Sequence, residues 1–292
     1  MVARVLTPFT VSDGENLALY NWQSEDSTKQ SSRDGIQARG VVLIVHGLGE
    51  HAGRYDHVAH SLYTWGFEVR AYDQRGHGES GGKPGALPSN TALLDDLAEV
   101  VDDVRKQYPN LSLILLGHSL GGLVAARFAS LRIRPVDALV MSSPALDAGL
   151  SAFQKLLLKV LPGVLPNLCV GNGLDAKFIS RDPQVVKAYL ADRLVHNKIS
   201  PRLGHFIATA GPATVAAAAN WQTPTLLVYA GADRLVNPAG SHDFARLAST
   251  SKAVKPGVVT VRRFDGYYHE LFNEPEAGQV FERLENWLDS RF

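Results

Sequence analysis

The chain has 292 residues, 45% hydrophobic and 20% charged, with 29 Lys plus Arg against 29 Asp plus Glu. That length suits one α/β domain carrying an insertion, and the balanced charge gives no basic field for nucleic acid and no pull on an acidic partner. Cys169 is the only cysteine, which excludes an intrachain disulfide and a four-thiolate metal site and leaves it a packing role in a reducing compartment. The opening MVARVLTPFTVSDGEN has no apolar core of signal-peptide length and no run approaches a membrane span, so a cytoplasmic location is expected.

Residues 2–11 and 17–22 read as two short strands about the turn Ser12-Asp13-Gly14-Glu15-Asn16. Residues 24–39 carry almost no apolar side chain and read as a polar surface loop. VVLIV at 41–45 is a strand buried on both faces, ending in His46-Gly47-Leu48-Gly49-Glu50-His51. Tyr55, Val58, Ala59 and Leu62 predict a helix, and 67–72 a strand ending in Asp73-Gln74-Arg75-Gly76-His77-Gly78. Leu93, Leu94, Leu97, Val100, Val101, Val104 and Tyr108 predict an amphipathic helix, with Asp95, Asp96, Glu99, Asp102 and Asp103 on its solvated face. A strand at 111–116 then runs into Gly117-His118-Ser119-Leu120-Gly121 and a helix bearing Val124, Ala125, Phe128 and Leu131, and 136–141 adds another strand. This alternation predicts a mainly parallel sheet with helices on both faces.

From 148 to 219 the alternation stops and helical pieces take over, beginning with an apolar run from Leu150 to Leu168. It resumes with a strand at 225–230, a helix at 238–247, a strand at 258–264 and a last helix carrying Val280, Phe281, Leu284, Trp287 and Leu288. The expected division is a core of 1–147 and 220–292, with 148–219 a helical cap over the C-terminal sheet edge, where open α/β sheets place their sites.

Strand, G-x-S-x-G, helix is the layout of a nucleophile elbow, which makes Ser119 the candidate nucleophile. Gly78-Glu79-Ser80-Gly81-Gly82 matches the same pattern but lies between polar loop residues and Lys83-Pro84-Gly85, so Ser80 reads as a loop serine. A serine hydroxyl needs a base at neutral pH. Of ten histidines, His269 follows the last strand and satisfies the order Ser, Asp, His. His118 is expected to point elsewhere on the turn, and His51, His57, His60, His196, His205 and His242 fall on other helices and loops. Asp233, just after TLLVYA, is the expected acid that orients the imidazole, with Asp265 its rival. The backbone amides of Leu120, at a helix N-terminus, and of Leu48, after the first buried strand, are the expected oxyanion donors.

HGLGEHAGRYDHVA from His46, YDQRGHGESGG from Tyr72, GHSLGG from Gly117, SSPAL from Ser142, FISRDP from Phe178, GADRLV from Gly231 and YYHELFNEPE from Tyr267 span most of the chain. With these motifs the sequence resembles the monoacylglycerol lipase group of the α/β-hydrolases, within the wider lysophospholipase-like set. The resemblance implies the α/β-hydrolase fold and a cofactor-free serine carboxylester hydrolase cleaving monoacylglycerol to fatty acid and glycerol. It implies Ser119, Asp233 and His269 as triad and Leu48 and Leu120 as oxyanion donors. It also implies Glu50, Arg54 and Tyr189 at the glycerol end, beside the plainer reading of Glu50 and Arg54 as a loop-shaping ion pair. Mammalian members carry a second histidine where this chain has Phe272, a departure that bears on the glycerol contacts. The family's cap is hydrophobic. The run from Leu150 to Leu168, with Lys155 and Lys159, fits a lid making transient contact with a membrane or lipid droplet, or else an ordinary packed helix. Lysophospholipase or broad carboxylesterase activity is the alternative, and a non-catalytic ligand-binding homologue the remote one.

Overall fold

Side chains of a strand point alternately to its two faces, so a strand apolar at every position needs a cover on both. The computed structural model, which describes residues 2–24 and 38–292, supplies it. Strands β1 (Val2–Thr10), β2 (Asn16–Ser24), β3 (Val41–Val45), β4 (Glu68–Tyr72), β5 (Leu113–His118), β6 (Ala138–Ser142), β9 (Thr225–Ala230) and β10 (Val259–Phe264) form one sheet in the order β1-β2-β4-β3-β5-β6-β9-β10. From β4 to β10 all neighbours are parallel, and only the β1–β2 hairpin and its junction with β4 are antiparallel. Leu43 and Leu115 pack with Leu97 of α2 (Ala92–Gln107), Leu123 of α3 (Leu120–Leu131), Phe206 of α6 (Pro201–Ala217) and Phe244 of α7 (Pro238–Thr250). Ile44 and Leu116 pack on the other face with Val58 of α1 (Asp56–Thr64) and Leu284 of α8 (Gly278–Asp289).

Two sequence expectations change in detail. β5 continues past Leu116 because Gly117 and His118 still pair with Met141 and Ser142 of β6. Asp96, assigned to a solvated face, is buried, because Arg75 meets it through Nε at 3.0 Å and Nη2 at 2.7 Å. The loop reading of 24–39 falls mostly on residues 25–37, which lie outside the described residues.

Between β6 and β9 run α4 (Ala152–Val164), β7 (Val170–Gly171), α5 (Pro183–Ala191), β8 (Lys198–Ile199) and α6. Helix α4 opens on a capping box in which Ser151 Oγ accepts the Gln154 N–H and the Gln154 side chain accepts the Ser151 N–H. The antiparallel β7–β8 pair is a ribbon too short to announce itself by periodicity. Among the described residues no helix is long and apolar enough to cross a membrane.

Candidate active site

Ser119 sits between β5 and α3 with φ 52° and ψ −118°, a backbone region that L-residues other than glycine rarely occupy. Its neighbours hold it there. Ser119 N–H donates to the Ser142 carbonyl at 3.0 Å, and its own carbonyl accepts Leu123 N–H at 3.0 Å and Ala145 N–H at 2.9 Å. A Cβ on Gly117 would strike the Gly121 carbonyl, and one on Gly121 the Val45 and His46 carbonyls, so the motif's glycines are fixed by close packing. The loop after β3 lies against the same turn: a Cβ on Gly47 would stand 3.3 Å from Ser119 Cβ. The Leu48 and Leu120 amides are therefore both near the serine, and neither is engaged elsewhere among the described residues.

His269, after β10, donates Nδ1–H to Asp233 Oδ2 at 2.6 Å, while Asp233 Oδ1 accepts the amides of Leu235 at 2.9 Å and Val236 at 3.0 Å. Burial opposes charge on both partners, but each outweighs it for the other. The imidazole is held above its ordinary pKa and the carboxyl below its own. Because Nδ1 is occupied, Nε2 is the ring nitrogen left to face a proton donor; no hydrogen bond joins it to Ser119 Oγ among the described residues. Asp265 instead pairs with Arg263 Nε at 2.7 Å on the surface.

His118 does not point away from this group. Its ring lies 4.7 Å from that of His269, and burial and the His269 charge lower its pKa to about 4. A second charge this close to His269 is thereby avoided.

Behind the histidines lies an ion cluster. Arg54 donates Nη1–H to Glu270 Oε1 at 2.6 Å and Nη2–H to Glu270 Oε2 at 2.7 Å, and also meets Glu50. Glu50 Oε1 accepts the Gly47 N–H at 2.6 Å and the Tyr55 hydroxyl at 2.7 Å. Side-chain exposures of 11% for Arg54, 4% for Glu50 and 7% for Glu270 show that these charges answer one another and not solvent. Against the cost of burial, Arg54 and the neighbouring histidines hold the Glu50 carboxyl below the usual carboxylate range. The Tyr189 ring lies 4.8 Å from the Arg54 guanidinium, within cation–π range. Glu270 was not anticipated, since an acid beside a histidine carries no mark of a partner 216 residues away. Phe272 turns into the core, packing 5.2 Å from Phe281, while its carbonyl faces His57 Nε2 at 3.1 Å.

From Ser119 a cavity of about 350 Å³ runs beneath α4 and α6, walled by Leu120, Leu157, Leu158, Leu161 and Ile207, and no charged side chain lines it among the described residues. The outer side of α4 is apolar too: Phe153 is 67% and Val164 70% exposed, with Leu156 and Val160 between them. Lys159 is exposed on this helix, while the side chain of Lys155 lies outside the described residues.

The family model described as serine aminopeptidase, S33 matches residues 36–276. The chain belongs to that family. Among its relatives, the monoacylglycerol lipase of Mycolicibacterium smegmatis is 38% identical over 256 residues, covering 86% of this chain and 89% of that protein. Phospholipase YtpA of Bacillus subtilis is 32% identical over 254 residues, covering 85% and 95%. The crystal structure of Paleococcus ferrophilus monoacylglycerol lipase superposes with a TM-score of 0.77 at 36% identity, covering 88% of this chain and 96% of that one. This S33-family chain thus has the α/β-hydrolase fold, and Ser119, Asp233, His269 and Leu48 all lie in loops at the C-terminal ends of its parallel strands.

Proposed function

We propose that the protein is a cofactor-free carboxylic ester hydrolase whose substrate is monoacylglycerol, released as fatty acid and glycerol. The observation that carries this reading is the uncharged apolar cavity leading to Ser119. It accepts an acyl chain. Ser119 Oγ attacks the ester carbonyl as His269 Nε2 takes its proton, and the Leu48 and Leu120 amides receive the oxyanion. Asp233 holds the Nδ1–H tautomer and stabilises the imidazolium. Collapse of the tetrahedral intermediate breaks the bond to the glycerol oxygen, which takes the proton from His269. His269 then draws a proton from water as it attacks the acyl-enzyme, and returns that proton to Ser119 Oγ when the second tetrahedral intermediate collapses and releases the fatty acid. Glu50 and Arg54 serve this chemistry by shaping the oxyanion loop, since Glu50 holds the Gly47 amide and Arg54 pairs with both Glu50 and Glu270. In this reading Tyr189, whose ring lies against the Arg54 guanidinium, meets the glycerol end.

The phospholipase relative raises a lysophospholipid as the competing substrate. Comparing kcat/KM for 1-monooleoylglycerol and lysophosphatidylcholine separates the two. A preference of at least about tenfold for the glyceride is expected, because the charges nearest the glycerol end, Arg54, Glu50 and Glu270, already pair with one another and leave none for a phosphocholine. A preference for the lysophospholipid would overturn the substrate and leave the serine mechanism standing.

Residues 148–219 act, in this reading, as a cap whose α4 outer face meets the lipid surface that holds the substrate. Charged replacements there, such as Leu156→Asp with Val160→Asp, should lower turnover of emulsified glyceride about tenfold and leave a soluble butyrate ester within twofold. Equal losses on both would identify a plain structural helix.

A further inference from the structure

Helix α4 contains Pro162, which has no N–H to give the carbonyl four residues earlier. That carbonyl belongs to Leu158, and it is not left bare. His205, one turn into α6, donates Nδ1–H to it at 2.8 Å. Among the described residues this is the one hydrogen bond that joins α4 to another element. The neighbouring residue tightens the same crossing: a Cβ on Gly204 would stand 2.9 Å from Leu158 Cδ2. Glycine therefore lets α6 approach while the histidine fastens it. Leu157, Leu158 and Leu161 wall the cavity from α4, and Gly204 and Ile207 wall it from α6. The opposite face of α4 lies exposed, at Phe153 and Val164, so the helix is held from the α6 side, where this hydrogen bond lies.

We infer that His205 is a specificity-determining latch, which sets the height of the cavity roof by donating to the carbonyl that Pro162 frees, and so fixes the selectivity for long over short acyl chains. The inference rests on the reading of the cavity as the acyl site. With the latch closed, the leucines of α4 stay in contact with a long chain along its length. With it open, water enters beside the distal methylenes, while a short acyl group held near Ser119 is unaffected.

The test is a double-mutant cycle between His205 and Pro162, read as the ratio of kcat/KM for p-nitrophenyl palmitate to that for p-nitrophenyl butyrate. His205→Phe, which keeps a ring but no donor, should lower the ratio about tenfold and leave butyrate turnover within twofold. His205→Gln, whose amide can still donate, should keep the wild-type ratio. In a Pro162→Ala background, where residue 162 supplies its own N–H to Leu158, adding His205→Phe should change the ratio less than twofold. Should His205→Phe alone fail to fold, the ratio in His205→Gln, kept or lost, still tests the latch. An unchanged ratio in His205→Phe, a tenfold fall in His205→Gln, or an equal fall in both backgrounds overturns the latch, with butyrate turnover and Ser119 labelling intact. A wild-type protein that hydrolyses neither ester overturns the ester-hydrolase reading itself.

Discussion

Ser119→Ala is expected to lower kcat for monoacylglycerol about 10⁴-fold or more and to abolish covalent labelling by a fluorophosphonate probe. Removing the nucleophile of such a triad leaves only what the oxyanion donors and binding supply. The control is the other G-x-S-x-G serine. Ser80 Oγ donates to the Asp73 carbonyl at 2.6 Å and accepts the Ala18 N–H at 2.8 Å, joining the loop after β4 to strand β2. Ser80→Ala should therefore cost about 1–3 kcal/mol of stability, because a buried amide loses its acceptor, while labelling continues. Labelling of Ser119→Ala at the wild-type rate would refute the assignment.

Arg54→Met should be the most damaging change among the charged residues of the site, and it should act on folding before chemistry. The substitution keeps the volume of the side-chain stem but leaves Glu50 and Glu270 facing each other without the guanidinium. Breaking a buried pair from one side costs about 3–5 kcal/mol, measurable as a shift in the urea midpoint at pH 7. The pH dependence gives the cause. In the wild type the Glu50 carboxyl sits below its ordinary value of 4.5, so the stability it contributes is present above that pH and is lost as pH falls through the folded value. In the variant burial is no longer opposed by Arg54, the carboxyl is pushed up, and the penalty is present at neutral pH and relieved on acidification. The gap between the two proteins should therefore narrow from pH 7 to pH 5. A gap of equal size at both values would mean that packing, not charge, makes Arg54 necessary.

Strand β3 and the elbow were legible in the sequence because each is local. Five apolar residues in a row describe a strand covered on both faces, and glycines two positions either side of a serine describe a turn that admits no Cβ. The Asp233–His269 hydrogen bond was reachable as well, because both residues follow predicted strands and stand in the chain order Ser, Asp, His. What escaped is what depends on distant partners. Asp96 lies on the acidic side of a regular amphipathic helix, and only Arg75, on a loop 21 residues earlier, makes its burial tolerable. Glu270 and Arg54 sit on separate segments, and nothing periodic ties them. His118 was misplaced for a different reason: the tightness of the elbow turns its ring toward the loop after β10, which no pattern within the motif records. His205 looked like an ordinary helical histidine, and its meaning depends on a proline in another helix.

The backbone of Ser119 has a consequence for how this protein tolerates change. At φ 52° and ψ −118° a side chain costs about 1–3 kcal/mol, against a net stability of about 5–15 kcal/mol for a typical native protein. Glycine meets no such penalty there. The residue proposed to do the chemistry is thus also one whose replacement by glycine would relax the fold. Selection for heat resistance alone, by random mutagenesis with folding as the only survival criterion, would drift toward a sturdier and silent molecule with glycine at 119. Engineering of this scaffold has to screen for turnover from the first round, because thermal robustness and activity pull in opposite directions at that position.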